Sequence, residues 1–441
     1  MKLKAFCMFI AVLILTAAFP AVTASAYNIT GFEIESQAVL FASLDTGSIL
    51  YQKNVDERRY PASLTKLMTA AVVMDNCPDI DVEIEVPGYC IELLSGTGST
   101  VGGLLAGEHI SVRSLLEMLL VSSAADAANT LADYIGGGSI AQFVEMMNQK
   151  AEALGMQNTH FENPHGLHDD NHYSTVSDLY KLALYVYEQP VLMDICSMSR
   201  VQIPATDQSD ERLMVTTNLM QSAGSPCYYE YVRGMKTGYT SKAGRCLIST
   251  ASRDGYNYIC VLLGAEDRDN EADRIEFKDT ENLYKWAFNT FEHRKVTNVN
   301  EPVAEVPLEL NWDTDYLQLY PEKEIYAIVP QDVDDSSIIY DTVLSESTVS
   351  APVEKGEIIG YARIVVAGEE VGSVNLVAGV DAQRSELLLI AKIFTTISGS
   401  IWFKLFIGAL AVLLVLLIIL NIIHNKKKRA QYKKVRKIRK I

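Results

Sequence analysis

Thiolate metal chemistry is the first thing this sequence lacks. Its seven cysteines, at 7, 77, 90, 196, 227, 246 and 260, stand at spacings that match no metal motif. They do not spell a disulfide framework either. Six would remain after loss of the amino-terminal segment, and Cys246 and Cys260 lie in apolar strand-like runs that suit a buried free thiol as well as a bridge. Charge of either sign is absent from Leu405 to Ile423, nineteen residues that make about 28 Å of helix, close to the thickness of a hydrocarbon core. Trp402 and Phe403 stand at its edge with Lys404 beside them. Acidic residues are missing from 426 to 441, where ten Lys/Arg gather, so the positive-inside rule places that tail in the cytoplasm. Charge is also missing from Ala5 to Ala18, behind Lys2 and Lys4 and ahead of Ala24-Ser25-Ala26. That is the pattern of a secretory signal with a mature start near Tyr27. Both ends place the body outside the membrane. The whole chain carries −17 and the last sixteen residues +10, which leaves −27 for the rest. That balance argues against nucleic acid or anionic lipid as partners of the exported part.

What is present begins with a strand pair. Ala38–Leu44 and Ile49–Lys53 flank the turn Asp45-Thr46-Gly47-Ser48. They lead into Tyr60-Pro61-Ala62-Ser63-Leu64-Thr65-Lys66-Leu67-Met68, where Pro61 suits a first helical turn and Leu64, Leu67, Met68 and Ala71 recur at helical spacing. Ser63 and Lys66 then share one face. A serine hydroxyl becomes a useful nucleophile when a neighbouring amine is held neutral by burial or by a second cation. Taken alone, Ser-x-x-Lys is weak evidence, because such spacing is common in long chains.

The Gly-rich stretch 95–107 predicts a loop. Ser111 caps a helix through Leu120, a small polar elbow follows at Val121-Ser122-Ser123-Ala124-Ala125-Asp126, and a second helix runs to Ile135. Phe143–Leu154 predicts an amphipathic helix stopped at Gly155, and Ser174-Thr175 caps another that runs to about Tyr187. Arg233–Thr240, Cys246–Ser252 and Tyr256–Leu263 predict an antiparallel meander closed by a helix over Asn282–Phe291. From Val296 to about Leu387, short alternating runs such as Tyr326–Val329, Ser337–Tyr340 and Tyr361–Val366 predict a separate small β domain. With 49 % hydrophobic residues in 441, two globular domains plus terminal extras are expected. His165 follows Pro164 in a turn and His172 precedes Tyr173-Ser174-Thr175, with no carboxylate partner in view, so they read as loop structure and not as a metal or triad site.

Four stretches then appear together in order: Pro61-Ala-Ser63-Leu-Thr-Lys66; the Ser123 elbow with Asp126-Ala-Ala-Asn129; Asn163-Pro-His-Gly-Leu167 with His172-Tyr-Ser-Thr175; and Gly234-Met-Lys236-Thr237-Gly238-Tyr239-Thr240. In this combination residues 30–292 resemble the D-alanyl-D-alanine carboxypeptidases, the low-molecular-mass penicillin-binding proteins, and the β module and carboxy-terminal anchor are similar to that family's architecture. The resemblance implies an α/β (α+β) serine β-lactamase/transpeptidase-like domain with an antiparallel sheet and a helical subdomain. A small all-β domain and a C-terminal transmembrane helix would follow. The expected segments are a signal peptide at 1–26, a catalytic domain at 27–295, a small β domain at 296–388, a membrane-proximal segment and transmembrane helix at 389–425, and a basic cytoplasmic tail at 426–441. It also implies roles. Ser63 would be the acyl-ester nucleophile, Lys66 the general base and Ser123 a proton relay. Lys236, Thr237 and Gly238 would bind substrate on an edge strand, and the amides of Ser63 and Tyr239 would form the oxyanion hole. The implied substrate is the D-Ala-D-Ala end of peptidoglycan stem peptides, with β-lactams as inhibitors and no cofactor or metal.

One departure stands out: the family's middle motif is usually Ser-x-Asn, and here it reads Ser123-Ala124-Ala125. The amide that helps hold the lysine and substrate is absent unless Asp126 or Asn129 substitutes. Two other readings therefore stand beside the carboxypeptidase. One is a catalytically weakened wall-binding protein, supported only by that missing asparagine. The other is a β-lactamase, disfavoured because no Glu-x-x-x-Asn motif stands between the elbow and Lys236.

Overall fold

Alternation along the first strand sets the architecture. In β1 (Ala38–Ser43) the side chains of Ala38, Leu40 and Ala42 enter one buried cluster, and those of Val39 and Phe41 enter another. Successive strand residues point to opposite faces, so a strand buried on both sides needs apolar residues at every position. A computed structural model describes residues 31–268, 270–366 and 368–438. The expected signal peptide and its cleavage site lie outside these.

β1 is followed by β2 (Ile49–Lys53), a 3₁₀ turn at Ala62–Leu64, helix α1 (Thr65–Asn76), β3 (Glu83–Glu85), α2 (Gly88–Glu92) and β4 (His109–Ser111). Then come α3 (Val112–Val121), α4 (Ala125–Ile135), α5 (Ile140–Ala153), α6 (Val176–Tyr187) and α7 (Pro190–Cys196). After the hairpin β5 (Arg200–Ile203) and β6 (Arg212–Val215), the chain forms β7 (Val232–Thr240), β8 (Gly244–Arg253), β9 (Tyr256–Ala265) and α8 (Ile275–Thr290). The central sheet has the order β2-β1-β9-β8-β7 and is antiparallel throughout, so β7 is an edge. One face carries the largely helical insertion between β2 and β7. The other is covered by α8, where Phe41 stacks on Tyr258 at 5.6 Å and meets the edge of Tyr284 at 5.7 Å. The predicted caps form: Ser111 Oγ accepts from Ser114 N at 3.1 Å and Thr175 Oγ1 from Asp178 N at 3.0 Å, each worth about 1 kcal/mol.

Two differences from the sequence reading concern this first unit. The closing helix starts at Ile275, seven residues before the expected Asn282, because Arg274 and Glu276 pair at its start in place of the side-chain cap that a sequence scan seeks. Tyr326–Pro330 (β13) pairs antiparallel with β10 (Phe291–Lys295), and its Ile328 joins Phe291 in the core under α8. Alternation identified that strand without identifying its partner.

The chain divides into two compact units, the second comprising 296–325, 340–364 and 373–441. A six-stranded sheet is built from β11 (Ala304–Glu309), β12 (Tyr316–Pro321), β14 (Ile338–Leu344), β15 (Val349–Ser350), β16 (Ile358–Val366) and β17 (Glu369–Ala378), in the order β14-β16-β17-β12-β11-β15. The β11–β15 pair is parallel. Helix α9 (Glu386–Gly399) follows, then α10 (Ile401–Ile438). The stretch Ile401–Arg429 is long and apolar enough to cross a membrane and is unburied.

Candidate active site

The 3₁₀ turn before α1 places Ser63. Ala62 takes a left-handed backbone (φ 48°), unusual for a residue with a Cβ, and the turn is held from outside. Gly166 (φ 85°) packs onto it so closely that a Cβ there would stand 2.0 Å from Ala62 O. The loop carrying Gly166 is pinned to α1, since Thr65 Oγ1 contacts His172 Nε2 at 2.7 Å and Thr69 Oγ1 donates to Pro164 O at 2.6 Å. Asn163 Oδ1 accepts from Gly166 N at 2.7 Å and closes the turn.

Lys66, the second residue of α1 and one turn on from Ser63, is 2 % exposed, with Nζ 2.9 Å from Ser63 Oγ and 2.6 Å from His165 O. Burial lowers its pKa well below the ordinary lysine value, the positive charge of Lys236 lowers it further, and Asp126 opposes them. Lys236, 1 % exposed on β7, is brought down to about 7 by burial. Its Nζ donates to Thr237 O at 3.1 Å. The nearby Cys196 thiol is pushed up to about 12 by burial and is therefore neutral.

β7 runs directly against the Ser63 turn. A Cβ on Gly238 would lie 3.1 Å from both Pro61 O and Ser63 N, so glycine is what permits this approach. Ser63, Lys66, Ser123, Thr237, Gly238 and Tyr239 line one cleft of about 580 Å³, together with Thr97–Thr100, Ala125 and His165–His168. The elbow puts Ser123 there by adopting a left-handed backbone (φ 67°). Among the described residues Lys66 Nζ makes two hydrogen bonds, and Ser123 is partner to neither.

Neither proposed substitute for the missing asparagine reaches the cleft. Asn129 Nδ2 donates to Cys90 O at 2.9 Å, and the Asp126 carboxylate accepts from the backbone of Gly102 and Leu104. The two histidines act as loop structure: burial brings His165 to about 3 and His172 to about 4, and both are neutral near pH 7. No group of three or more His, Cys, Asp or Glu among the described residues is placed to hold a metal.

Four contributors went unread in the sequence. The carbonyl of His165 holds the lysine, and no side-chain pattern announces a carbonyl. Thr217 Oγ1 meets Thr237 Oγ1 at 2.5 Å, and the only signal was an unremarked Thr-Thr-Asn stretch. Arg245 and Arg274 also border the cleft, Arg245 ion-paired to Asp267 at 2.6 Å and Arg274 to Glu276.

A serine against a buried lysine at a helix start, faced by a Lys-Thr-Gly edge strand on an α/β sheet, defines the penicillin-binding class of serine hydrolases. The chain belongs to the D-alanyl-D-alanine carboxypeptidase family, whose model matches residues 21–267, and residues 291–384 match the penicillin-binding protein 5 C-terminal domain. It is similar to the D-alanyl-D-alanine carboxypeptidase DacF of Bacillus subtilis, 26 % identical over 81 % of this chain and 88 % of the relative. With DacD of Escherichia coli it shares 32 % identity over 68 % of this chain and 74 % of the relative. The crystal structure of DacD from Francisella tularensis superposes with a TM-score of 0.64 at 25 % identity, covering 84 % of this chain and all of that one.

Proposed function

We propose that the protein removes the terminal D-alanine from peptidoglycan stem peptides through an acyl-enzyme on Ser63. The observation that carries this reading is the 2.9 Å contact between Ser63 Oγ and the buried Lys66 Nζ, whose pKa burial depresses, in a cleft bordered by Thr237 and Gly238, with Lys236 buried beside Thr237 on the same strand. Ser63 Oγ attacks the carbonyl carbon between the two D-alanines as its proton passes to Lys66. The amides of Ser63 and Tyr239 receive the oxyanion, and the C–N bond breaks as the departing amine takes up a proton by way of the Ser123 hydroxyl. Water then attacks the ester, a proton returns to Ser63 Oγ, and the shortened peptide leaves. Lys236 and Thr237 hold the substrate's terminal carboxylate. β-Lactams place a carbonyl at the same point and acylate Ser63.

The proposed segments are a signal at 1–26, a catalytic domain at 27–295, a β domain at 296–388, a membrane-proximal segment and spanning helix at 389–425, and a cytoplasmic tail at 426–441. The catalytic domain faces the wall. Incubating the protein with a pentapeptide ending in D-Ala-D-Ala should release free D-alanine, and a fluorescent penicillin should label it. Both signals should vanish in Ser63→Ala. Release that persists in both Ser63→Ala and Lys66→Ala would remove the mechanism.

A further inference from the structure

Asp126 stands one residue beyond the alanine that replaces the expected asparagine. It is 1 % exposed at the start of α4 and its carboxylate is engaged on both oxygens. Oδ1 accepts from Gly102 N at 2.7 Å and from Ala127 N at 3.0 Å, and Oδ2 accepts from Leu104 N at 3.1 Å. The seam continues one residue earlier, where Ala125 N donates to Thr100 O at 2.8 Å. Gly102 leaves no slack in it, because a Cβ would fall 2.1 Å from Met118 Cε and 3.3 Å from Ala124 Cβ. A second buried acid, Glu108, secures the far end by accepting from Leu105 N at 2.9 Å and from Thr206 Oγ1 at 2.8 Å. Its partner Arg212 donates to Gly103 O at 2.9 Å. The part of this loop ahead of the clamp, Thr97–Thr100, borders the cleft beside Ser123 and Ala125.

We infer that Asp126 is a positioning residue for the reaction: it clamps the 97–104 loop so that Ser99 and Thr100, in place of a side chain at 125, form the hydrogen-bonding wall of the cleft. A carboxylate suits this task because it accepts from several amides at once, and an amide side chain has one acceptor oxygen. The clamp has an electrostatic consequence. The groups whose charge or titration bears on Lys66 are the buried Lys236 amine on β7, the neutral His165 and His172 rings of the loop over α1, and the Asp126 carboxylate on α4, which acts from outside the cleft. Asp126 therefore favours the protonated lysine that exists after the hydroxyl gives up its proton. The inference rests on the reading of Ser63 as the acylated residue.

The test uses the full chain with Asp126→Asn and, separately, Ser99→Ala/Thr100→Val, whose side chains are exposed or half-buried and leave the core untouched. Acylation by a fluorescent penicillin is followed as a function of pH, and kcat and KM for D-alanine release are measured alongside. Asp126→Asn should lower the acylation rate about tenfold or more, raise KM, and move the acid limb of the profile to lower pH. A structural role alone would reduce the amount of active enzyme with KM and limb in place. The double variant should raise KM several-fold with its pH limb unmoved. If Asp126→Asn fails to fold, the double variant decides: a wild-type KM there overturns the inference, as does an Asp126→Asn profile that superposes on wild type. Wild-type protein that is never labelled at Ser63 would instead strike the acyl-enzyme reading.

Discussion

The proposed mechanism gives Lys66 and Lys236 opposite duties, and the pH profile should report both. Lys66 acts as base only when neutral, so kcat/KM should climb as pH rises through its depressed pKa. Lys236 binds a carboxylate only when charged, so kcat/KM should fall as pH passes about 7. A bound carboxylate stabilises the Lys236 ammonium, so the alkaline limb of kcat should lie above that of kcat/KM; coincident limbs would remove Lys236 from carboxylate binding. His165 and His172 make a pH-dependent contribution to stability. Their folded pKa values of about 3 and about 4 lie below the unfolded value. The unfolded chain therefore binds more protons between these limits. Stability is full above about pH 6.5 and should be lost as pH falls toward 4, as urea midpoints across that range will show. Position 125 gives a third expectation: Ala125→Asn should raise kcat/KM about fivefold, the equivalent of one neutral hydrogen bond of about 1 kcal/mol, and an unchanged value would mean that the wall formed by the loop already suffices. Ser63, Lys66 and Lys236 were legible from the sequence because each carries chemistry in its side chain. The acceptor that orients Lys66 was not, because it is the backbone of His165.

At the scale of elements, the edge strand β7 and the 3₁₀ turn act as one part. Gly238→Val would put a branched side chain within 3.1 Å of Ser63 N. We expect penicillin labelling to be lost while the melting temperature stays within a few degrees, since the edge strand can shift outward; labelling at the wild-type rate would show that the close approach is dispensable. The helices, elbow and meander could be read in advance from periodicity and caps. The pairing of β13 with β10 could not, since a five-residue alternating run fits many sheet edges and only the apolar space under α8 selects among them. The early start of α8 escaped for a related reason, because an Arg–Glu pair two residues apart resembles ordinary surface charge.

For the whole molecule, α10 is the candidate membrane anchor. Its apolar stretch is unburied, so under the proposed anchoring the full chain should sediment with membranes and a chain ending at Ser400 should remain in the supernatant with catalytic activity intact. Recovery of the shortened chain in the membrane pellet would assign the anchor to another segment. The buried cysteines carry a practical consequence. All six described thiols are sheltered and unbridged, so refolding should need no oxidant, and native protein should resist alkylation by maleimides. A single cysteine engineered onto an exposed loop would then be the site of fast labelling and would give one clean attachment point for a fluorophore.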